Sequence, residues 1–175
     1  MTTTEQPGPQ AEPVPASAYL CFWAISLGVL FLDQASKWII VEYSGYPLGL
    51  YPPFGGKVLI PGFLNLAYAI NHGAAWGMLE GYSFMLVAFA VLVLGLMAVF
   101  RHELDLRHSA NQWCFGLICG GIIGNTIDRI LRGHVVDFID LRLSGYQWPT
   151  FNLADSAIVV GTVIYIYLQF KPRRA

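Results

Sequence analysis

Four long apolar stretches, at about 19–41, 83–100, 112–130 and 155–170, divide this chain and limit what it can fold into. The second is nearly pure Val, Leu, Ala, Met and Phe. At a rise of 1.5 Å per residue, each is close to the roughly 20 residues that carry a helix across hydrocarbon. Charged residues make up only 12% of the chain, against about 25% in soluble domains. The expected fold class is an all-α membrane protein, a bundle of four transmembrane helices forming one domain over residues 17–171.

The segments around the helices are uneven. Residues 1–16, MTTTEQPGPQAEPVPA, are too poor in apolar side chains to offset the entropy of ordering and read as a disordered tail. They lack the basic start of a cleaved signal, so the first apolar stretch is expected to stay attached. KPRRA at the carboxyl end, with residues 172–175 as a basic tail, and Arg101 and Arg107 in the 101–108 connection point to the cytoplasm. An even span count puts both termini there and sends residues 42–81 and 131–154 to the other side. Arg132 and Arg142 in the latter weaken the bias. The 42–81 segment mixes β-branched and aromatic residues, as in VLIPGFLNLAYAI. A small β-containing extracytoplasmic segment is expected there, with an irregular loop as the plain alternative.

Several function classes drop out. Without a polybasic run there is no reason to expect nucleic acid as a partner. Cys21, Cys114 and Cys119 lie in apolar stretches and form no disulfide framework. The four histidines are scattered, and no metal or other cofactor is expected. No Walker loop, Gly-x-Gly-x-x-Gly or Gly-x-Ser-x-Gly occurs. Ser36 and Lys37 are adjacent and point in different directions on a helix, which disfavours a Ser/Lys dyad.

Polar groups gather where the spans end. Asp33 and Lys37 lie one helical turn apart at the end of the first stretch. Asn125, Asp128 and Arg129 end the third, Asp137 and Asp140 follow, and Asn152 with Asp155 opens the fourth. Ionisable groups at membrane depth are costly and so are functional candidates. Gly116, Gly120 and Gly124 repeat every four residues and make a smooth face for close helix packing. Asp128 continues that row. Two neighbouring carboxylates can share a proton, one activating water and the other polarising a carbonyl. Structural ion pairs are the competing explanation, among them Asp128 with Arg132 on the next turn.

The strings DQASKW (33–38), NHGAAWG (71–77), GGIIGNTIDR (120–129), HVVDFID (134–140) and FNLADSAI (151–158) resemble, in order and spacing, the motifs of the lipoprotein signal peptidase family, also called signal peptidase II. Trp76 stands where Phe is more usual. The resemblance covers about residues 20–170. It implies an aspartic endopeptidase of the bacterial inner membrane that cuts diacylglyceryl-modified prolipoproteins before the lipidated cysteine, as a monomer in contact with membrane lipid, with its site near the outer face. It implies Asp137 and Asp155 as the catalytic pair, with Asp128 and Asp155 as the competing assignment. Asp155 opens a helix, where the macrodipole favours negative charge. Asp137 sits among apolar neighbours that favour the neutral acid. Asn71 and Arg129 are then expected to hold substrate carbonyls, and Asn125 and Asn152 to position the dyad. Gly73, Ala74 and Ala75 would leave room for substrate. Asp33 and Lys37 would form a supporting ion pair, and Asp128 would anchor Arg129 or the helix end.

Two readings outside this family share the polar cluster. A transporter would place its carboxylates near the midplane in repeated halves; here they lie at one face, and no repeat is visible. In a non-enzymatic scaffold the same residues would be purely structural.

Overall fold

The computed structural model describes residues 16–73 and 78–170. Residues 1–15 of the N-terminal tail, residues 74–77 with Ala74, Ala75 and Trp76, and the basic end KPRRA lie outside the described residues. A single 3-10 turn, Ala16–Tyr19, leads into α1, Leu20–Glu42. Two short strands follow, β1 Lys57–Ile60 and β2 Leu64–Asn71. Then come α2 Ser83–Val99 and α3 Ser109–Arg132. The chain closes with β3 Val135–Leu143, β4 Tyr146–Gln147 and α4 Leu153–Phe170.

α1, α3 and α4 have 23, 24 and 18 residues and are long and apolar enough to cross a membrane. α2 is as apolar but has 17 residues, about 26 Å at a helical rise. None of its residues is buried, and it packs mainly along α3. α3 is the central helix, lying against both α1 and α4. Large apolar side chains such as Leu20, Leu27, Phe31, Phe84, Val159 and Ile166 point away from the protein, as the hydrocarbon around a membrane bundle permits.

The close approach of α3 to its neighbours depends on missing side chains. A Cβ at Gly120 would stand 2.6 Å from the Ser26 carbonyl oxygen of α1, and one at Gly124 would stand 2.5 Å from the Asp33 carboxylate. On the opposite side, a Cβ at Gly121 would run into the Ala154 carbonyl of α4. Gly161 of α4 returns the favour, approaching the Cys114 carbonyl. Such small-residue faces hold helices together where water supplies no hydrophobic force. Gln112 joins α3 to the start of α1, accepting from Phe22 N at 3.0 Å and donating to the Ala18 carbonyl at 2.7 Å. It thereby satisfies an orphan N–H of a helix end. α3 stops at Gly133, whose φ of 75° provides the left-handed cap.

The four strands form one antiparallel sheet in the order β1-β2-β3-β4. β1 and β2 lie in the segment where strands were expected. The sheet draws β3 and β4 from residues 135–147, for which the sequence reading assigned no strand. The reason is burial: Val135 to Phe138 are buried on both faces of the strand, so the apolar–polar alternation of a half-exposed strand is absent. Val136, Phe138 and Ile40 form a small core joining the sheet to the end of α1.

Candidate active site

A buried lysine organises the end of the bundle. Lys37 Nζ lies 2.8 Å from Asp33 Oδ2, 2.9 Å from Asp128 Oδ2 and 2.9 Å from Asn125 Oδ1. Its three donors are thereby all used. Lys37, Asp33 and Asp128 are each fully buried. The free oxygen of Asp33 accepts from Ala154 N at 3.0 Å, in the first turn of α4. Asp128 Oδ1 accepts from Arg132 at 2.5 Å, and its Oδ2 from Val136 N at 3.3 Å. Two cations therefore balance two carboxylates, and one cluster ties α1, α3, β3 and α4 together. Gln34, which the sequence reading passed over, lies within 3.1 Å of Asp33 Oδ2 and of the Gly124 carbonyl and 3.3 Å from Asp128 Oδ1.

Asn125 and Asn152 connect this cluster to a second pair of aspartates. Asn125 Oδ1 also accepts from Asn152 Nδ2 at 3.1 Å, and its Nδ2 donates to Asp155 Oδ1 at 2.7 Å. Asn152 precedes α4 and caps it: its Oδ1 accepts from Asp155 N at 3.0 Å, while Asp155 Oδ2 accepts from Asn152 N at 3.3 Å. This is a reciprocal capping box. The Asn152 amide also donates to Asp137 Oδ1 at 2.7 Å. One side chain thus touches both aspartates' surroundings.

Asp137 comes from β3. Antiparallel register sets Asn71 opposite Val135, and residues two apart share a face of the sheet. Asn71 accordingly donates to Asp137 Oδ2 at 3.1 Å. Burial, and next the charge of Asp155, push the Asp137 carboxyl up to about 7, against the smaller opposing effects of Asn71 and Asn152. Asp137 is 2% exposed.

A cleft of about 600 Å³ opens beside these groups. Asn71, Asn125, Arg129 and Asp155 line its polar end, while Trp148 and Val159 stand on its apolar sides. Asp155 faces the cleft directly; Asp137 lies behind Asn71. Arg129 spans the polar end, donating to the Gly73 carbonyl at 2.8 Å and to the Asn125 carbonyl at 3.2 Å. Its Nε is buried with no hydrogen-bond partner among the described residues. Gly73 N in turn donates to Asn71 Oδ1 at 2.9 Å.

Asp33, Lys37, Asn71, Gly73, Asn125, Asp128, Arg129, Asp137, Asn152 and Asp155 therefore fall into one continuous hydrogen-bonded region. Of the two anchors expected of Asp128, Arg129 or the helix end, the contacts are with the helix end: Asp128 holds Lys37, Arg132 and the start of β3, because Arg129 is turned about 100° further round the helix. His72 and His134, far apart in sequence, meet with ring centroids 5.5 Å apart. Burial and His72 lower the pKa of His134. No three His, Cys, Asp or Glu side chains converge as a metal site among the described residues. Asp140 is not part of the cleft. Fully buried, it accepts from Asn65 of β2 at 2.8 Å and Gln147 of β4 at 2.9 Å, and so fastens three strands.

Fold and site together define a helical membrane protein with a carboxylate-bearing cleft at one end of its bundle. The family model for Signal peptidase (SPase) II matches residues 25–171. The lipoprotein signal peptidase of Burkholderia vietnamiensis is 42% identical over 163 residues, covering 90% of this chain and 92% of that one. That of Thermodesulfovibrio yellowstonii is 36% identical over 143 residues, with 82% and 90% covered. A bacterial membrane enzyme solved in meso at 2.3 Å resolution superposes with a TM-score of 0.77 at 31% identity, over 88% of this chain and 93% of that one. The chain belongs to the signal peptidase II family and is a membrane-embedded protease.

Proposed function

We propose that this protease removes the signal peptide from diacylglyceryl-modified prolipoproteins, cutting before the lipidated cysteine with Asp137 and Asp155 as an aspartate dyad. The observation that carries the reading is that both carboxylates meet Asn152, Asp137 through its side-chain amide and Asp155 through its backbone N–H, with Asp155 at the polar end of a cleft whose other walls are apolar. A peptide bond beside a lipid anchor needs both environments. The relatives' shared description as lipoprotein signal peptidases supports the substrate class.

Asp155 is the base. It opens α4, where the helix dipole favours charge, and each of its oxygens accepts one hydrogen bond. Asp137, protonated up to about pH 7, is the acid. A protonated carboxyl oxygen can accept from Asn71 and still donate its proton. The scissile carbonyl displaces the Asn71 amide and takes the hydrogen bond from Asp137. Asp155 removes a proton from water as the oxygen adds to that carbonyl. Collapse of the diol breaks the C–N bond; the proton held by Asp155 passes to the leaving nitrogen, and Asp137 recovers its own. Arg129, whose Nε has no hydrogen-bond partner among the described residues, and Asn71 hold the flanking substrate carbonyls. The dyad is a coupled pair whose protons belong to both.

The same reading counts α2 as a fourth span, its 17 residues reaching across a thin or locally compressed bilayer. The protein is then a monomer in the bacterial inner membrane, both termini cytoplasmic and the cleft near the outer face.

The test is cleavage of a lipid-modified prolipoprotein by the purified full chain, with Asp137→Asn, Asp155→Asn and Asp128→Asn beside wild type. Folded but inactive variants at 137 and 155 support the dyad. An active Asp137→Asn with an inactive Asp128→Asn transfers the acid to Asp128. If wild type leaves a verified substrate uncut, the substrate assignment fails.

A further inference from the structure

At the end of the bundle away from the aspartates, a second cavity of about 340 Å³ opens between α1 and α2. Phe22 and Trp23 of α1 and Leu94 and Met97 of α2 form its walls, and Cys119 and Ile123 of α3 its floor. Phe22 precedes Asp33 by eleven residues on α1, so the cavity lies about 16 Å along the helix from the ion cluster. It exists because α1 and α2 both pack on α3 but scarcely on each other. The gap opens to the outside of the bundle, where Trp23 is exposed, and on the reading of α2 as a fourth span that outside is the bilayer.

The lining is apolar apart from one cation. Arg101, just past the end of α2, stands at the rim. One of its nitrogens donates to the Ala98 carbonyl at 3.0 Å. No carboxylate pairs with it among the described residues. Asp105, in the same connection, is engaged by His108 at 3.0 Å. A guanidinium has five donors, and most of this one's remain for a ligand.

We infer that this groove binds one anionic phospholipid, an acyl chain lying between α1 and α2 and the phosphate on Arg101. An apolar gap bordered by hydrocarbon does not stay empty, since its walls would lose their dispersion contacts. Any acyl chain meets that need. The cation selects among headgroups, as basic rims between membrane helices do. The site is remote from the dyad and is separate from the cleft that takes substrate.

The test is native mass spectrometry of the full chain after exchange into bilayers of equal phosphatidylglycerol and phosphatidylcholine. Wild type retains a single phosphatidylglycerol at activation energies that strip other lipids. Arg101→Gln lowers that preference about fivefold, the weight of one basic side chain at a membrane surface. Ala98→Trp fills the groove and abolishes the retained lipid. Equal retention of both lipids by wild type, or an Arg101→Gln preference equal to wild type, overturns the inference. A measurement that does not depend on variants of the groove's packing uses brominated lipids. Brominated phosphatidylglycerol quenches wild-type tryptophan fluorescence more than brominated phosphatidylcholine does, and the difference disappears in Trp23→Phe. Equal quenching by the two lipids also overturns it.

Discussion

Asn152 donates its side-chain amide to Asp137 across 2.7 Å, from a position fixed by its other task of capping α4. The helix that presents Asp155 and the amide that orients Asp137 therefore cannot move independently. This coupling separates the variants at 152. Asn152→Ala loses both functions: kcat falls about 100-fold, and the cap costs about 1 kcal/mol of stability. Asn152→Asp keeps the cap but sets a further carboxylate beside Asp137. That buried carboxylate lowers its melting temperature at neutral pH and less so as pH falls, while the alkaline limb of its pH–rate profile moves upward. An unmoved limb would separate Asn152 from the dyad.

Asp137 makes stability depend on pH with a definite sign. Its folded carboxyl titrates at about 7, against an ordinary value near 3.8. Between those values the folded protein holds a proton that the unfolded chain has lost, so stability falls as pH rises from about 4 to about 7 and is level above. Asp137→Asn removes this dependence. The variant is more stable than wild type at pH 8, by an upper limit of about 4 kcal/mol, and the gap closes toward pH 4. Thermal unfolding in detergent at pH 4.5 and pH 8 measures it. A pH-independent gap would contradict this assignment.

Lys37 neutralises two fully buried carboxylates, Asp33 and Asp128. Lys37→Met leaves them with Arg132 alone and costs on the order of 3–5 kcal/mol. Adding Asp33→Asn recovers part of that loss, because one uncompensated charge is removed with the lysine. A double-mutant cycle on melting temperature reads the coupling. Strict additivity of the two losses would show that the pair is not the source of the cost.

The glycines of the bundle differ in what they permit. Gly121 faces the Ala154 backbone, whereas Gly28 has nothing within 4 Å of a built Cβ. Gly121→Ala pushes α4, and with it Asp155, away from α3, and loses both stability and turnover. Gly28→Ala leaves activity unchanged and gains up to about 1 kcal/mol from helix propensity. Equal effects at the two positions would mean that α3 and α4 approach less closely than described.

Much of the framework was legible in the chain. The lengths and purity of the apolar stretches mark where helices form, since in hydrocarbon each backbone segment must satisfy its own hydrogen bonds. The glycine spacing on α3 marks the face that meets α1. The family motifs mark which polar residues belong together. β3 was not legible. A strand buried on both faces carries no alternation, and its register against β2 is a matter of pairing between segments 64 residues apart, Asn71 with Val135. Gln34 was overlooked because a single glutamine in a helix is usually solvated, and only its three partners reveal its position between α1 and α3.

By itself, then, the sequence determined that this chain lives in a membrane, where its helices lie and which family it joins, because hydrophobic length and short motifs are local properties. The tertiary structure alone decided that Asp128 meets Lys37 of the first helix, that Asn71 covers Asp137, and that Asn152 serves a helix cap and a strand carboxylate together. Those contacts depend on helix rotation and strand register, which arise only when distant segments pack.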